Sequence, residues 1–99
     1  MTNPKTNSVA AVLRAAGHPL RVNILELLKK EGETSVNDIC AQLKLEQSLT
    51  SHHLNLLTRA GFILGKRKGK FIFYDIASRE LYGVLDIVKK ELNGGKEAV

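Results

Sequence analysis

Apolar positions recur at helical spacing through the first part of the chain, alternate briefly, and return to helical spacing at the end. Ser8 is placed to cap a short helix in which Val9, Val12, Leu13 and Ala16 follow the i, i+3, i+4, i+7 rule up to Gly17. Pro19 stands at the first position of a second helix, where its missing N–H costs nothing. Leu20, Ile24, Leu27 and Leu28 form the inner stripe of that helix, and Gly32 follows as a stop. Ser35 caps a third helix, with Asp38 as a short version of the capping-box partner and Val36, Ile39, Cys40 and Leu43 as the buried face. After a turn at Lys44-Leu45-Glu46, a fourth helix begins at about Gln47 or Ser48 and ends at Gly61. Two runs of strand character, Phe62 to Arg67 and Phe71 to Ile76, meet at a tip around Lys68-Gly69 and predict a hairpin. Ser78 opens a last helix to about Leu92, which Asn93-Gly94-Gly95 ends; residues 1–7 and 93–99 are expected to fray.

The predicted order is therefore four helices, two strands and a helix, in one domain covering residues 1–99. Two short helices joined by a tight turn and followed by a basic hairpin describe a mainly α winged helix-turn-helix with a β-hairpin wing.

The fourth helix separates into two faces on a helical wheel. Leu49, His53, Leu56, Leu57 and Ala60 converge on one side, with Leu54 at its edge. The other side carries Gln47, Ser48, Ser51, Asn55, Thr58 and Arg59. An ordinary solvated helix more often shows Glu and Lys there. Short hydroxyls and amides are instead the groups that hydrogen-bond base edges and phosphates in a DNA groove.

Charge sharpens this picture. The chain of 99 residues carries a formal net charge of +5, and from Gln47 to Tyr74 it has no acidic residue. That stretch holds Arg59, Lys66, Arg67, Lys68 and Lys70, while the remainder has ten basic and ten acidic residues and sums to zero. A localised basic footprint suits a polyanion such as nucleic acid or an anionic membrane surface, and its uneven placement favours this over a merely solvated face. Nothing resembles a transmembrane run or a secretory signal, so a cytoplasmic protein with no membrane partner is expected.

Other chemistry finds little support. Cys40 is the only cysteine, which excludes an internal disulfide and a four-cysteine zinc site within one chain. Two ligands on one helical face need a spacing of three or four, so the adjacent His52 and His53 cannot easily share a metal; His18 stands apart in the first loop. His53 falls on the apolar side, where a hydrogen bond to backbone is expected, and His52 points towards the flank of Ser48 and Arg59. No phosphate-binding glycine loop, nucleophile elbow or carboxylate pair is present, so no enzyme, metal or cofactor is expected.

From about Val12 to Leu92 the chain resembles the ArsR/SmtB family of small winged-helix repressors. GHPLRVNILELL, SVNDICAQLKLEQSLTSHHLNLLTRAGFI and the wing GKRKGKFIFYDI carry the resemblance together. It implies DNA contacts from Gln47, Ser48, Thr50, Ser51, His52 and Asn55, with Lys66 to Lys70 as the wing beside Arg59. It also implies homodimers that pair through the first and last helices, placing Val9, Val12 and Leu13 against Leu81, Tyr82, Val84, Leu85, Val88 and Leu92. The last helix supports a partner independently, because Tyr82 and Ile87 are apolar outside its main stripe. A symmetric dimer implies double-stranded DNA with an inverted-repeat operator.

The family's sensing residues are not matched. Where its arsenic and lead sensors carry Cys-Val-Cys, this chain has Ser35-Val36-Asn37, and the last helix has no histidine for a zinc-type site. Cys40 matches the first cysteine of sulfide- and redox-responsive members, but the second thiol is absent. The expectation is a dimeric repressor released by an unidentified signal. The alternatives are a metal- or thiol-responsive sensor with non-standard ligands, or a winged helix binding RNA or protein.

Overall fold

A computed structural model describes residues 17–97, with side chains through residue 90. Its elements are α1 (Pro19–Glu31), β1 (Thr34–Ser35), α2 (Val36–Leu43), α3 (Gln47–Arg59), β2 (Ile63–Lys68), β3 (Phe71–Ile76) and α4 (Glu80–Glu97). The helix expected over residues 8–17 lies outside the described residues apart from Gly17. The winged helix-turn-helix is present.

Helix α1 starts at Pro19 as its sequence requires, and His18 caps it by accepting the Leu20 N–H at Nδ1 (3.1 Å). It packs against α2, α3, α4 and β3. That central position buries Val22 and Leu25 as well as Ile24, Leu27 and Leu28, a wider face than one stripe. Ser35 caps α2 through the Asp38 N–H (3.1 Å) as expected, but of its predicted apolar face only Ile39 is fully buried. The tight turn into α3 uses Lys44 in the left-handed region, at φ 56°.

The end of α3 explains how helix and wing are joined. Ala60 is the C-cap, and Gly61 follows at φ +81°, a conformation glycine adopts without penalty. The Phe62 N–H donates to Leu57 O and the Gly61 N–H to Thr58 O, both at 3.0 Å. This is the Schellman pattern, and its accompanying apolar pair, Leu57 and Phe62, is fully buried.

The sheet has three antiparallel strands in the order β1-β3-β2, one more than the predicted hairpin. Thr34 pairs with Tyr74 and Ser35 with Phe73. A two-residue strand is too short to show a period in sequence. Lys68 pairs with Phe71, so the turn is Gly69-Lys70 and not Lys68-Gly69. Gly69 at φ +64°, ahead of a residue with ordinary φ, matches the glycine-first two-residue hairpin loop.

Ser78 leads into α4 by accepting the Glu80 N–H at 3.2 Å. The expected stop at Asn93-Gly94-Gly95 is not taken, since the helix continues to Glu97. A helical glycine costs only about 1 kcal/mol relative to alanine, so composition alone does not end a helix. Ion pairs Lys29–Asp86 (2.9 Å) and Lys89–Glu26 (2.8 Å) tie α4 to α1.

Candidate nucleic-acid interface

The buried side of α3 consists of Thr50, His53, Leu54 and Leu57. On a wheel of 100° per residue, this face is rotated by roughly 50° from the one that apolarity alone selects. Leu54, expected at the edge, is 0% exposed, whereas Leu49, expected inside, is 40% exposed. Thr50 lies on this rotated face. Its hydroxyl donates to Glu46 O (2.9 Å), so the side chain is satisfied by its own helix and can be buried completely. Thr50 is thus removed from the expected DNA contacts. The Ser48 hydroxyl donates to Glu46 Oε1 (2.8 Å). Gln47, Ser48, His52, Asn55, Thr58 and Arg59 remain exposed, and Ser51 is half-buried.

Ser51 is half-buried because it faces a concavity between α3 and the wing. Gln47, Ser51 and Asn55 form one wall, Val36 and Asn37 of α2 another, and Lys70, Phe71, Ile72 and Tyr74 the third. Three amides, two hydroxyls, an ammonium and aromatic edges meet there, with no carboxylate in the lining. Asn37 and Tyr74 escaped the sequence analysis. The helical wheel treats each helix alone, and only the packing of α2 on α3 brings Asn37 beside Gln47. Its position two residues after the Ser35 cap, at the exposed start of α2, was the available signal.

Strand alternation divides the wing cations between two faces. Arg67 pairs with Ile72 and shares the face of Gly65, Tyr74 and buried Ile63 and Ile76. Ile72, Tyr74 and the turn residue Lys70 line the concavity, and Arg67 lies on the same face of the wing. Lys66 and Lys68 lie on the opposite face with Phe73. Lys68 is not an uncompensated charge, because its ammonium donates to Glu33 Oε1.

The histidines have separate duties. His53 is 5% exposed, and its Nδ1 accepts from Arg21 Nε at 3.0 Å, so its partner is a side chain and not the expected backbone group. An arginine keeps its proton, which makes His53 the neutral acceptor with its own proton on Nε2. His18 is no isolated loop residue: its ring lies 4.9 Å from His53, and the His52 ring lies 5.5 Å from His53. Burial first, and then the charge of Arg21 and the neighbours His18 and His52, hold the His53 pKa below its ordinary value of 6.5. The unfolded chain therefore binds a proton more readily than the fold does, so this contribution to stability is complete above about pH 6.5 and is lost as pH falls. Melting curves of the parent should drop more between about pH 7.5 and 5 than those of His53→Gln, which lacks the titrating ring. Parallel curves would mean that His53 is not held neutral.

The expected dimerisation set needs correction. Leu85 (0% exposed) and Val88 (7%) belong to the protomer's own core, and Leu81, Tyr82 and Val84 pack against that core half-buried. Ile87 is 61% exposed. Val9, Val12, Leu13 and the side chain of Leu92 lie outside the described residues. Cys40 is half-buried. Among the described residues, no three His, Cys, Asp or Glu side chains are placed to hold a metal, and no helix is long and apolar enough to cross a membrane.

Comparison with known proteins agrees with this geometry. The family model for bacterial regulatory proteins of the arsR family matches residues 18–63, which run from the α1 cap into β2. The chain is 34% identical over 84 residues to an HTH-type transcriptional regulator of Methanocaldococcus jannaschii, covering 85% of this chain and 94% of that one. It is likewise 34% identical over 84 residues to the transcriptional repressor SdpR of Bacillus subtilis, covering 85% and 92%. Among solved structures, it is similar to a homodimeric winged helix-turn-helix DNA-binding domain from Mycobacterium bovis, a possible ArsR-family regulator, with a TM-score of 0.79, 25% identity and coverage of 94% and 88%. With helix α3, its turn and its wing in these positions, the chain belongs to the ArsR family of winged helix-turn-helix transcriptional regulators, which are DNA-binding proteins and not enzymes.

Proposed function

We propose that this protein is a homodimeric repressor that binds double-stranded DNA at an inverted repeat, with α3 in the major groove and the wing on flanking backbone. The observation that carries this reading is the concavity, where uncharged hydrogen-bonding groups of α2 and α3 face Lys70 without a carboxylate among them. Asn55 is central, being exposed on α3 and part of the concave wall. Gln47, Ser48, Ser51 and His52 flank it, and Arg59, Lys66, Arg67 and Lys70 supply charge for phosphates. The start of α2 presents Asn37 to the backbone beside the groove. Repression is supported by the similarity to a Bacillus subtilis repressor, and dimerisation by the homodimeric domain from Mycobacterium bovis. The exposed Ile87 gives α4 an apolar contact outside the protomer core.

The test is selection of bound DNA from a random pool by the purified protein. The expected product is an inverted repeat with half-site centres about 34–36 Å apart, one turn of DNA, or a multiple of that distance. A pool without enrichment, or enrichment of an asymmetric sequence by a monomer, would overturn this reading. A repressor also implies that the selected site overlaps a promoter and lowers transcription from it in a reporter assay.

A further inference from the structure

Lys68 is the last residue of β2, yet its ammonium is held by the body of the protein. Two contacts hold it there. Glu33 Oε1 accepts from Nζ, and Nζ lies 5.3 Å from the centroid of the Phe73 ring. The register explains why they coincide. Lys68 pairs with Phe71, and Phe73 lies two residues further along β3 on the same face. Ser35 pairs with Phe73, and Glu33 precedes it by two residues. The lysine side chain thus lies back along the outer face, across an aromatic ring, to a carboxylate beside β1.

We infer that Glu33 and Lys68 form a strap that takes Lys68 out of the DNA-contacting set and fixes the wing against the body, so that Glu33 is a positioning residue that limits non-specific binding. The inference rests on the DNA-binding reading above. Both side chains remain partly exposed, at 52% for Lys68 and 35% for Glu33, so a phosphate has access to the same ammonium. The carboxylate is tethered next to it and the phosphate is not. Cation–π contact with Phe73 favours the same position.

The test compares the parent with Glu33→Gln, Lys68→Ala and the double variant, using a random-sequence DNA duplex and the selected operator at increasing salt. Each phosphate contact contributes about 0.9 to the slope of log affinity against log salt. Lys68→Ala should keep the parental slope. Glu33→Gln should steepen it by about 0.9, and so lose about threefold more affinity than the parent between about 50 and 200 mM salt. It should also bind random DNA more tightly and lower the preference for the operator. The double variant should return to the parental slope. A slope lowered by Lys68→Ala alone would overturn the strap, as would a gain in Glu33→Gln that survives loss of Lys68. Proton NMR of the DNA-free protein gives a separate readout: the Lys68 side-chain methylene signals should move upfield over the Phe73 ring and relax in Glu33→Gln. Their absence from that position in the parent would also overturn the strap, whereas loss of salt-dependent binding in all four proteins would count against the DNA reading instead.

Discussion

Leu54→Ala should destabilise the protein by about 2–5 kcal/mol, because it opens a cavity beneath the reading helix at a side chain with no exposed surface. Domains of this kind have only about 5–15 kcal/mol in total, so the variant should be partly unfolded at moderate temperature. Leu49→Ala, on the same helix, should shift stability by only about 0.5 kcal/mol, since Leu49 is 40% exposed. Urea titration of the two variants decides the orientation of α3. If Leu49→Ala were the more damaging, the helix would be rotated the other way and Thr50 would be available to DNA.

The second large effect concerns recognition. Asn55→Ala should reduce the preference for the selected operator over random DNA by about 1–3 kcal/mol, or roughly fivefold to more than a hundredfold, through loss of a base-edge contact. Ser51→Ala should do the same to a smaller degree, because Ser51 is half-buried in the concave wall and Asn55 is exposed as well as lining it. Both variants should keep the parental melting temperature closely. Competition binding at fixed salt is the measurement, and equal discrimination by parent and Asn55→Ala would remove α3 from the reading role.

Much of the fold was legible because its punctuation is local. Pro19, Ser35 and Gly61 each act through hydrogen bonds within a few residues, and each stands where its chemistry predicts. The two hairpin strands followed from their residue types, but their register did not, since the turn lies one residue later than the expected tip. What escaped depended on partners distant in sequence or on satisfaction of a polar group. Thr50 reads as polar until its hydroxyl finds Glu46 O. Lys68 reads as an unpaired wing charge until Glu33, 35 residues earlier, arrives beside it. Asn37 enters the concavity only through the packing of α2 on α3. His53 was placed inside correctly, but its Arg21 partner lies 32 residues away. Leu85 and Val88 were assigned to a second copy because their stripe could not reveal that α1 already covers them.

The closing turn of α3 has a mechanical consequence. Leu57 and Thr58 of the helix accept hydrogen bonds from Phe62 and Gly61 at the entry to the wing, and Phe62 O in turn accepts from the Ala77 N–H where β3 leaves it. Helix, wing base and the entrance to α4 are thus geared together, with no slack segment at which the wing could fold away by itself. Under the DNA-binding reading proposed above, any displacement of α3 therefore carries the wing with it as one lever.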